Sequence, residues 1–140
     1  MLFRSHNAGG AVIQAHPFRM RRYMDIIRVG ELFADGVEVA NAGNEQLDDA
    51  RAILYAKQKN LLMTAGSDNH HSPADPVFGI ELEEKLESMD DYVRIIREKK
   101  KIGLHVPPER WMMPDIEIDE RHIGYWLNES EEVVPLEKGP

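Results

Sequence analysis

Short apolar runs that end in polar residues, separated by segments with helical spacing, constrain the fold of this chain most strongly. A short apolar run bounded by turn residues predicts a buried strand, and apolar residues at i, i+3, i+4 and i+7 predict a helix packed on a sheet. The runs that predict strands are 11–15, 36–41, 61–65, 77–82 and 102–106. The segments that predict helices are 19–29, 45–59 and 88–100. This alternation is typical of parallel strand–helix–strand units, so we expect an α/β protein.

Turn and cap residues predict where several helices begin and end. Gly9 and Gly10 follow what looks like the last turn of a helix, and glycine is the favoured residue just past a helix end. Asn44 is suited to cap the helix that follows it. Ser88 and Asp91 have the spacing of a capping box, with aspartate in place of the usual glutamate or glutamine.

After Pro108 the strand–helix pattern ends. Residues 115–140 carry a net charge of −6 out of −8 for the whole chain, so the rest is close to neutral and a broad nucleic-acid-binding face is not expected. We expect an α/β part over residues 1–110 and an irregular acidic tail over 111–140, with a short helix at 120–127. No apolar run reaches the ~18 residues of a membrane span, and no secretory signal is visible, so we expect a cytoplasmic protein.

Two of the predicted strands end in side chains that can bind metal ions. His16 follows the run 11–15, and Asp68 and His70 follow the run 61–65. Functional sites of α/β sheets form at the carboxyl ends of their strands, and imidazole nitrogens with carboxylate oxygens suit divalent cations. Simpler interpretations also exist: His16 as a half-buried histidine before a turn, and Asp68 as part of an Asx turn beside an exposed His70.

Three further polar residues stand near the same strand ends. Arg19 lies three residues after His16, where its guanidinium could hold a phosphate or lie on the surface at a helix start. Asn41 ends the run 36–41 and either bonds a substrate or caps a turn. Glu38 lies inside that run, and it points either toward the site as a supporting partner or toward solvent.

Three stretches together resemble the PHP (polymerase and histidinol phosphatase) family. They are Gly9–Arg19 (GGAVIQAHPFR), Gly36–Asn41 (GVEVAN) and Thr64–His70 (TAGSDNH), and they occur in the family's order over roughly residues 1–106. Members are metal-dependent phosphoesterases on a distorted seven-stranded (β/α) barrel. The family's opening H-x-H pair and the ligands that follow it are absent here. The resemblance therefore implies a partial (β/α) barrel of about five mostly parallel strands with intervening helices, the carboxyl-terminal half of the PHP fold.

The resemblance also implies a site and an activity. His16, Asp68 and His70 become ligands of divalent metal ions (zinc, manganese or iron), Asp68 and Arg19 become catalytic, and Arg19 becomes a phosphate contact. Asn41 is a further candidate for a substrate contact from its position at a strand end. Water activated by the metal would hydrolyse a phosphomonoester such as histidinol phosphate, a nucleotide, or the phosphodiester end of a nucleic acid. A near-neutral core favours a small substrate. An amidohydrolase-type barrel fits less well, because it also needs H-x-H and has no equivalent of the HPFR stretch.

Half a barrel exposes two strand edges that must be covered. The cover is a homo-oligomer, a second chain that supplies the missing half, or the tail after Pro108, and of these we expect the homo-oligomer. The missing ligands also favour a different function, that of a non-catalytic PHP fragment or metal-binding subunit. Asp68→Ala separates the two, because only an enzyme has activity to lose. We also expect this change to stabilise the metal-free fold by easing repulsion among crowded ligands.

Overall fold

The computed structural model describes residues 2–19, 27–28, 34–70, 77–111, 123–127 and 133–135. Within these ranges the strands are β1 (Ile13–Gln14), β2 (Ile27–Arg28), β3 (Gly36–Asn41), β4 (Leu62–Gly66), β5 (Gly79–Glu81), β6 (Gly103–His105), β7 (Ile123–Leu127) and β8 (Val133–Pro135). The helices are α1 (Leu2–Asn7), α2 (Gln46–Lys59), α3 (Met89–Arg97) and a 3₁₀ helix (Pro108–Trp111). In these described ranges no helix combines the length and the apolar character needed to cross a membrane.

A three-stranded parallel sheet in the order β1-β3-β4 carries the site. Gly36 of β3 is paired with Ile13 of β1 on one side and with Leu62 of β4 on the other. β3 is the central strand and is buried at five of its six positions. Burial at successive positions is typical of parallel strands covered on both faces. The expectation of an α/β protein with parallel strands is confirmed for this sheet.

Helix α2 covers one face of the sheet and forms the main core. The buried cluster is made of Phe18, Val37, Val39, Ala52, Ile53, Tyr55, Ala56 and Leu61. Alanines on the inner face of α2 let the helix approach β3 closely, and Phe18 fills the remaining space. The Phe18 and Tyr55 rings meet edge to face, with centroids 5.8 Å apart, a favoured aromatic geometry. Phe18 therefore fixes the loop after β1 to α2.

An irregularity in β3 changes the direction of its side chains. Between Glu38 and Ala40 the pairing with β4 shifts, so that Ala40 is opposite Ala65 and Asn41 is opposite Gly66. Residues three apart in a regular strand point to opposite faces. Because a bulge inserts one unpaired residue, it allows Glu38 and Asn41 to approach each other.

Several elements differ from the sequence-based expectations. β5 and β6 lie where strands were expected, but they pair antiparallel with each other in a separate two-stranded sheet. The expected helix at 19–29 is wrong at its end, because β2 pairs in parallel with β7. The expected helix at 120–127 is wrong over β7, which also pairs antiparallel with β8. Residues 20–26, which held most of the first of these helices, lie outside the described residues.

The predicted helix ends are partly confirmed. Helix α1 ends before Gly9, which has a positive φ of 83°. Ser88 and Asp91 form a complete capping box at the start of α3. The cap expected from Asn44 is wrong: the N-cap of α2 is Glu45, with no side-chain capping bond, because the Asn44 side chain is used elsewhere.

Candidate functional site

The three strands of the parallel sheet bring their carboxyl ends to one edge, where the polar residues gather. His16 and Arg19 follow β1, Asn41 ends β3, and Asp68 follows β4. In the loop after β1, the Phe18 side chain is buried in the core. A hydrogen bond of 3.2 Å from the Arg19 amide to the His16 carbonyl closes the loop. His16 and Arg19 are therefore presented on either side of a fixed apolar anchor.

Arg19 lies at the centre of this edge and is buried, with 8% of its surface exposed. Its Nε donates to Asn44 Oδ1 at 2.5 Å, its Nη1 donates to Asp68 Oδ2 at 2.5 Å, and its Nη2 donates to Asn41 Oδ1. All three guanidinium nitrogens are thus engaged, in three directions. Burying a guanidinium in this way requires such partners, because an unpaired buried charge is costly.

Glu38 joins the ends of all three strands. Its Oε2 accepts a hydrogen bond from the His16 amide at 2.8 Å and another from Asn41 Nδ2 at 2.9 Å. A Cβ placed on Gly66 would lie 2.5 Å from Glu38 Oε1. The glycine at the end of β4 therefore leaves the space that the Glu38 carboxylate needs. Of the two orientations considered for Glu38, the structure supports the one toward the site.

The backbone is left-handed at two of the predicted ligands. His16 has φ of 30° and Asp68 has φ of 49°. Non-glycine residues seldom adopt positive φ, and such residues persist only where the surroundings hold them. Here the surroundings are the Glu38 carboxylate on the His16 amide and the Arg19 guanidinium on the Asp68 side chain.

Asp68 lies among positive groups. The hydrogen bond from Arg19 holds the pKa of Asp68 below its usual range against partial desolvation, and the charges of Arg19, His70 and His16 lower it further. Its Oδ1 is 3.1 Å from His70 Nε2, while the His70 side chain is 72% exposed. The carboxylate is therefore ionised at neutral pH and open to solvent on the His70 side.

Behind Asn41 and Asn44 lies a buried carboxylate, Asp49. Its Oδ1 accepts from the Asn41 amide at 3.2 Å and from Asn44 Nδ2 at 2.8 Å. Its Oδ2 is 3.4 Å from Arg110 Nη1, without hydrogen-bond geometry. Burial raises the pKa of Asp49 to about 6, and the hydrogen bond from Asn44 and the charge of Arg110 only partly oppose that rise.

Arg110 attaches the 3₁₀ helix to this loop. Its Nη2 donates to the Asn44 carbonyl at 2.9 Å and to the Ala42 carbonyl at 3.5 Å. The guanidinium also lies over the Phe78 ring, 5.4 Å from its centroid, a cation–π distance. A residue near the expected end of the α/β part thus supports the loop between β3 and α2.

The structure brings the sequence-predicted residues to one edge, but it does not give all of them the expected environment. The residues in question are His16, Arg19, Asn41, Asp68 and His70. Asn41 is almost completely buried, with 1% exposed. Among the described residues, no three histidine, aspartate or glutamate side chains come together as a metal-ligating group. His71 and His122 lie outside the described residues.

The donor set nevertheless suits a divalent metal in its chemistry. Two imidazoles and one carboxylate are ligands that zinc, manganese and iron accept. Asp68 and His70 are already neighbours, and His16 lies at the same edge of the sheet. His16, Asp68 and His70 are therefore the residues that could hold such an ion.

Sequence reasoning missed the supporting residues Asn44, Asp49 and Arg110. Asn44 was expected to cap a helix, and Asp49 and Arg110 belonged to no predicted motif. The apolar run around Glu38 gave one usable signal, since a carboxylate in a buried strand needs a partner.

No protein-family model, curated protein or solved structure matches this chain.

Proposed function

We propose that this chain carries the carboxyl-terminal part of a metal-dependent phosphoesterase site of the PHP type, on the corresponding part of a (β/α) barrel. The observation that carries the proposal is the pair of left-handed residues, His16 and Asp68, at the carboxyl ends of two strands that flank β3. Strained non-glycine residues held by buried polar partners are a feature of functional sites. Both belong to the stretches that resemble the family.

In this proposal His16, Asp68 and His70 bind zinc, manganese or iron. A bound divalent metal supplies a water of lowered pKa and neutralises charge on a phosphoryl oxygen. This chain's own residues provide the donors and their orientation. Asp68 contributes an ionised carboxylate at neutral pH, and the exposed His70 imidazole lies where a solvent-borne ligand can reach it. The substrate is a small phosphorylated molecule, such as a phosphomonoester or nucleotide.

The test combines metal content with hydrolysis. The purified chain is analysed for metal by mass spectrometry and assayed with an aryl phosphate in the presence of Mn²⁺ or Zn²⁺. We expect stoichiometric metal and turnover, and we expect His70→Ala to abolish turnover. Because His70 is exposed, its loss should leave the fold intact. His105→Ala is the matched control, since His105 is also exposed and lies 3.3 Å from a carboxylate, that of Glu81.

A second candidate function, that of a non-catalytic fragment or subunit, is favoured by the present partners of Asp68. One carboxylate oxygen meets Arg19 and the other meets His70, so both are engaged by protein groups. Metal binding without turnover in the experiment above would support a metal-binding subunit against the enzyme. Absence of both metal and turnover would overturn the enzyme and support a non-catalytic fragment.

We also propose that a second copy or another chain completes the site. In the described residues the sheet that carries the site ends at β1 on one side and at β4 on the other. Edge strands need a cover. Light scattering that finds a stable monomer, with no metal bound, would overturn this part of the proposal.

A further inference from the structure

We propose that Arg19 and Glu38 are positioning residues, which hold Asp68 and His16 through a shared partner, Asn41. Arg19 and Asn41 then support the metal ligands, and they do not contact the substrate as the sequence analysis expects. This inference rests on the proposed function, because it concerns residues of the same site. The experiments below distinguish failure of this inference from failure of the proposed function.

Each positioning residue holds one left-handed residue. The Glu38 carboxylate accepts from the His16 main-chain amide, and the Arg19 guanidinium donates to the Asp68 side chain. Neither conformation is favourable by itself. Loss of either hydrogen bond would let the corresponding residue relax away from the strand-end geometry.

Asn41 connects the two anchors. Its Nδ2 donates to Glu38 Oε2, and its Oδ1 accepts from Arg19 Nη2 and from the Gly43 amide at 2.8 Å. The amide is 1% exposed, and both of its polar atoms are engaged. A substrate could bond Asn41 without displacing a protein partner only through the second N–H of Nδ2, and that side chain is 1% exposed. The hydrogen bonds of Asn41 therefore fit a residue that connects Glu38 with Arg19.

The directions of the Arg19 bonds favour the same conclusion. Bidentate binding of a phosphate uses two adjacent N–H groups of the guanidinium fork. Here three of the five N–H groups already donate to different protein oxygens, those of Asn44, Asp68 and Asn41, and only 8% of the residue is exposed to a ligand from solvent. These bonds orient the Asp68 carboxylate, which in the proposed site is a metal ligand.

The primary experiment titrates Zn²⁺ alone into the purified chain by calorimetry. Arg19→Lys and Glu38→Ala should each weaken zinc binding by about 10-fold or more, because loss of a ligand's supporting partner costs about 10–100-fold in metal affinity. Glu38→Gln keeps an acceptor for His16 and Asn41 and should stay within about 3-fold of the unmodified chain. Arg97→Lys makes the same chemical change at an exposed position of α3 and should have no effect.

A second titration uses inorganic phosphate. The proposal expects Arg19→Lys to bind phosphate as well as the unmodified chain does at equal zinc occupancy. If Arg19→Lys keeps zinc affinity and loses phosphate binding, Arg19 is a substrate contact and the proposal is overturned. Equal loss of zinc affinity in Glu38→Gln and Glu38→Ala would overturn the role given to the Glu38 hydrogen bonds.

A third measurement does not depend on metal. Backbone amide NMR of Asn41→Ala should show changes at both His16 and Asp68, which have no direct hydrogen bond to Asn41 among the described contacts. Unchanged signals at both would overturn the proposal. If Asn41→Ala does not fold, Arg19→Lys gives the same readout at Asp68. If the unmodified chain binds no zinc, the proposed function fails, and this measurement alone decides the positioning roles.

Discussion

Asp68 accepts a hydrogen bond from the Arg19 guanidinium, which reverses the stability effect expected from the sequence. Removal of this carboxylate was expected to relieve repulsion, but its pKa is lowered by Arg19, His70 and His16. We predict that Asp68→Ala destabilises the metal-free chain by about 1–3 kcal/mol, because the buried guanidinium of Arg19 loses the carboxylate to which its Nη1 donates. Urea unfolding measures this loss, with the exposed Asp90→Ala as control. A variant that is as stable as the unmodified chain would contradict it.

At the scale of single residues, the metal-ligand candidates could be predicted from the sequence, but the residues that hold them in place could not. His16, Asp68 and His70 stand directly after predicted strands, and that position is visible in a single sequence. The partners of Arg19 lie 22 to 49 residues away along the chain. The Glu38–Asn41 bond also requires the bulge in β3, which apolar alternation does not reveal.

Gly66 leaves room for Glu38, and this predicts a coupling between the two positions. Gly66→Ala should cost about 1–2 kcal/mol, because the new Cβ would displace a carboxylate held by two hydrogen bonds. In a Glu38→Ala background the same change should cost little, so the two effects should not add. Gly79→Ala is the control, since a Cβ there meets no atom within 4 Å. Additive unfolding energies would contradict the close approach.

Asp49 makes stability depend on pH. Its pKa is about 6 in the folded chain against 3.8 for the unperturbed group, so between these values the folded state binds more protons. Unfolding free energy should therefore fall as pH rises from about 4 to 6, by up to about 3 kcal/mol. Arg110 on the 3₁₀ helix and Asp48 on α2 are the charges that face it.

Asp49→Asn should remove this contribution to the pH profile. Unfolding curves in urea at pH 4 and pH 7 measure it, and the exposed Asp90→Asn is the control. Parallel profiles for Asp49→Asn and the unmodified chain would show that burial does not raise the pKa of Asp49.

At the scale of elements, the capping box of α3 gives a local prediction. The Ser88 hydroxyl accepts from the Asp91 amide at 3.3 Å, and the Asp91 carboxylate accepts from the Ser88 amide at 3.0 Å. Ser88→Ala should cost about 1 kcal/mol, and Ser88→Thr should restore most of it. Thermal unfolding would detect both. Equal losses in the two variants would mean that the hydroxyl does not cap the helix.

Elements specified by local pattern could be predicted, and those specified by distant pairing could not. Strand β3, helix α2 and strand β4 lie within a residue or so of the expected bounds, because apolar spacing and flanking turns define them. Strand β2 has two residues, and its partner β7 is far along the chain. The sequence of β7 also has apolar residues that fit a helix, and short apolar runs do not separate the two.

At the scale of the whole molecule, the site depends on residues that are far apart along the chain. His16 and Arg19 come from the amino-terminal part, and Arg110 comes from the 3₁₀ helix after β6. Arg110 contacts the loop that holds Asn44, and Asn44 contacts Arg19. The expected division at residue 110 therefore falls at a residue on which the α/β part depends.

We predict that Arg110→Met speeds unfolding by about 10- to 30-fold and changes the folding rate little. Contacts between distant residues form late, because closing the intervening chain costs entropy before the contact stabilises it. When a contact that forms late is removed, unfolding becomes faster and the folding rate changes little. Stopped-flow measurements in urea would test this, with the exposed Arg97→Met as control. A slower folding rate with unchanged unfolding would contradict it.

The Arg110 contact with the Asn44 carbonyl also sets an order in time. The two residues are 66 positions apart, whereas β3, α2 and β4 follow one another directly. During synthesis the parallel strands can therefore pair before residue 110 has left the ribosome. The loop between β3 and α2 therefore gains its contacts with Arg110 only after the later segment has been synthesised.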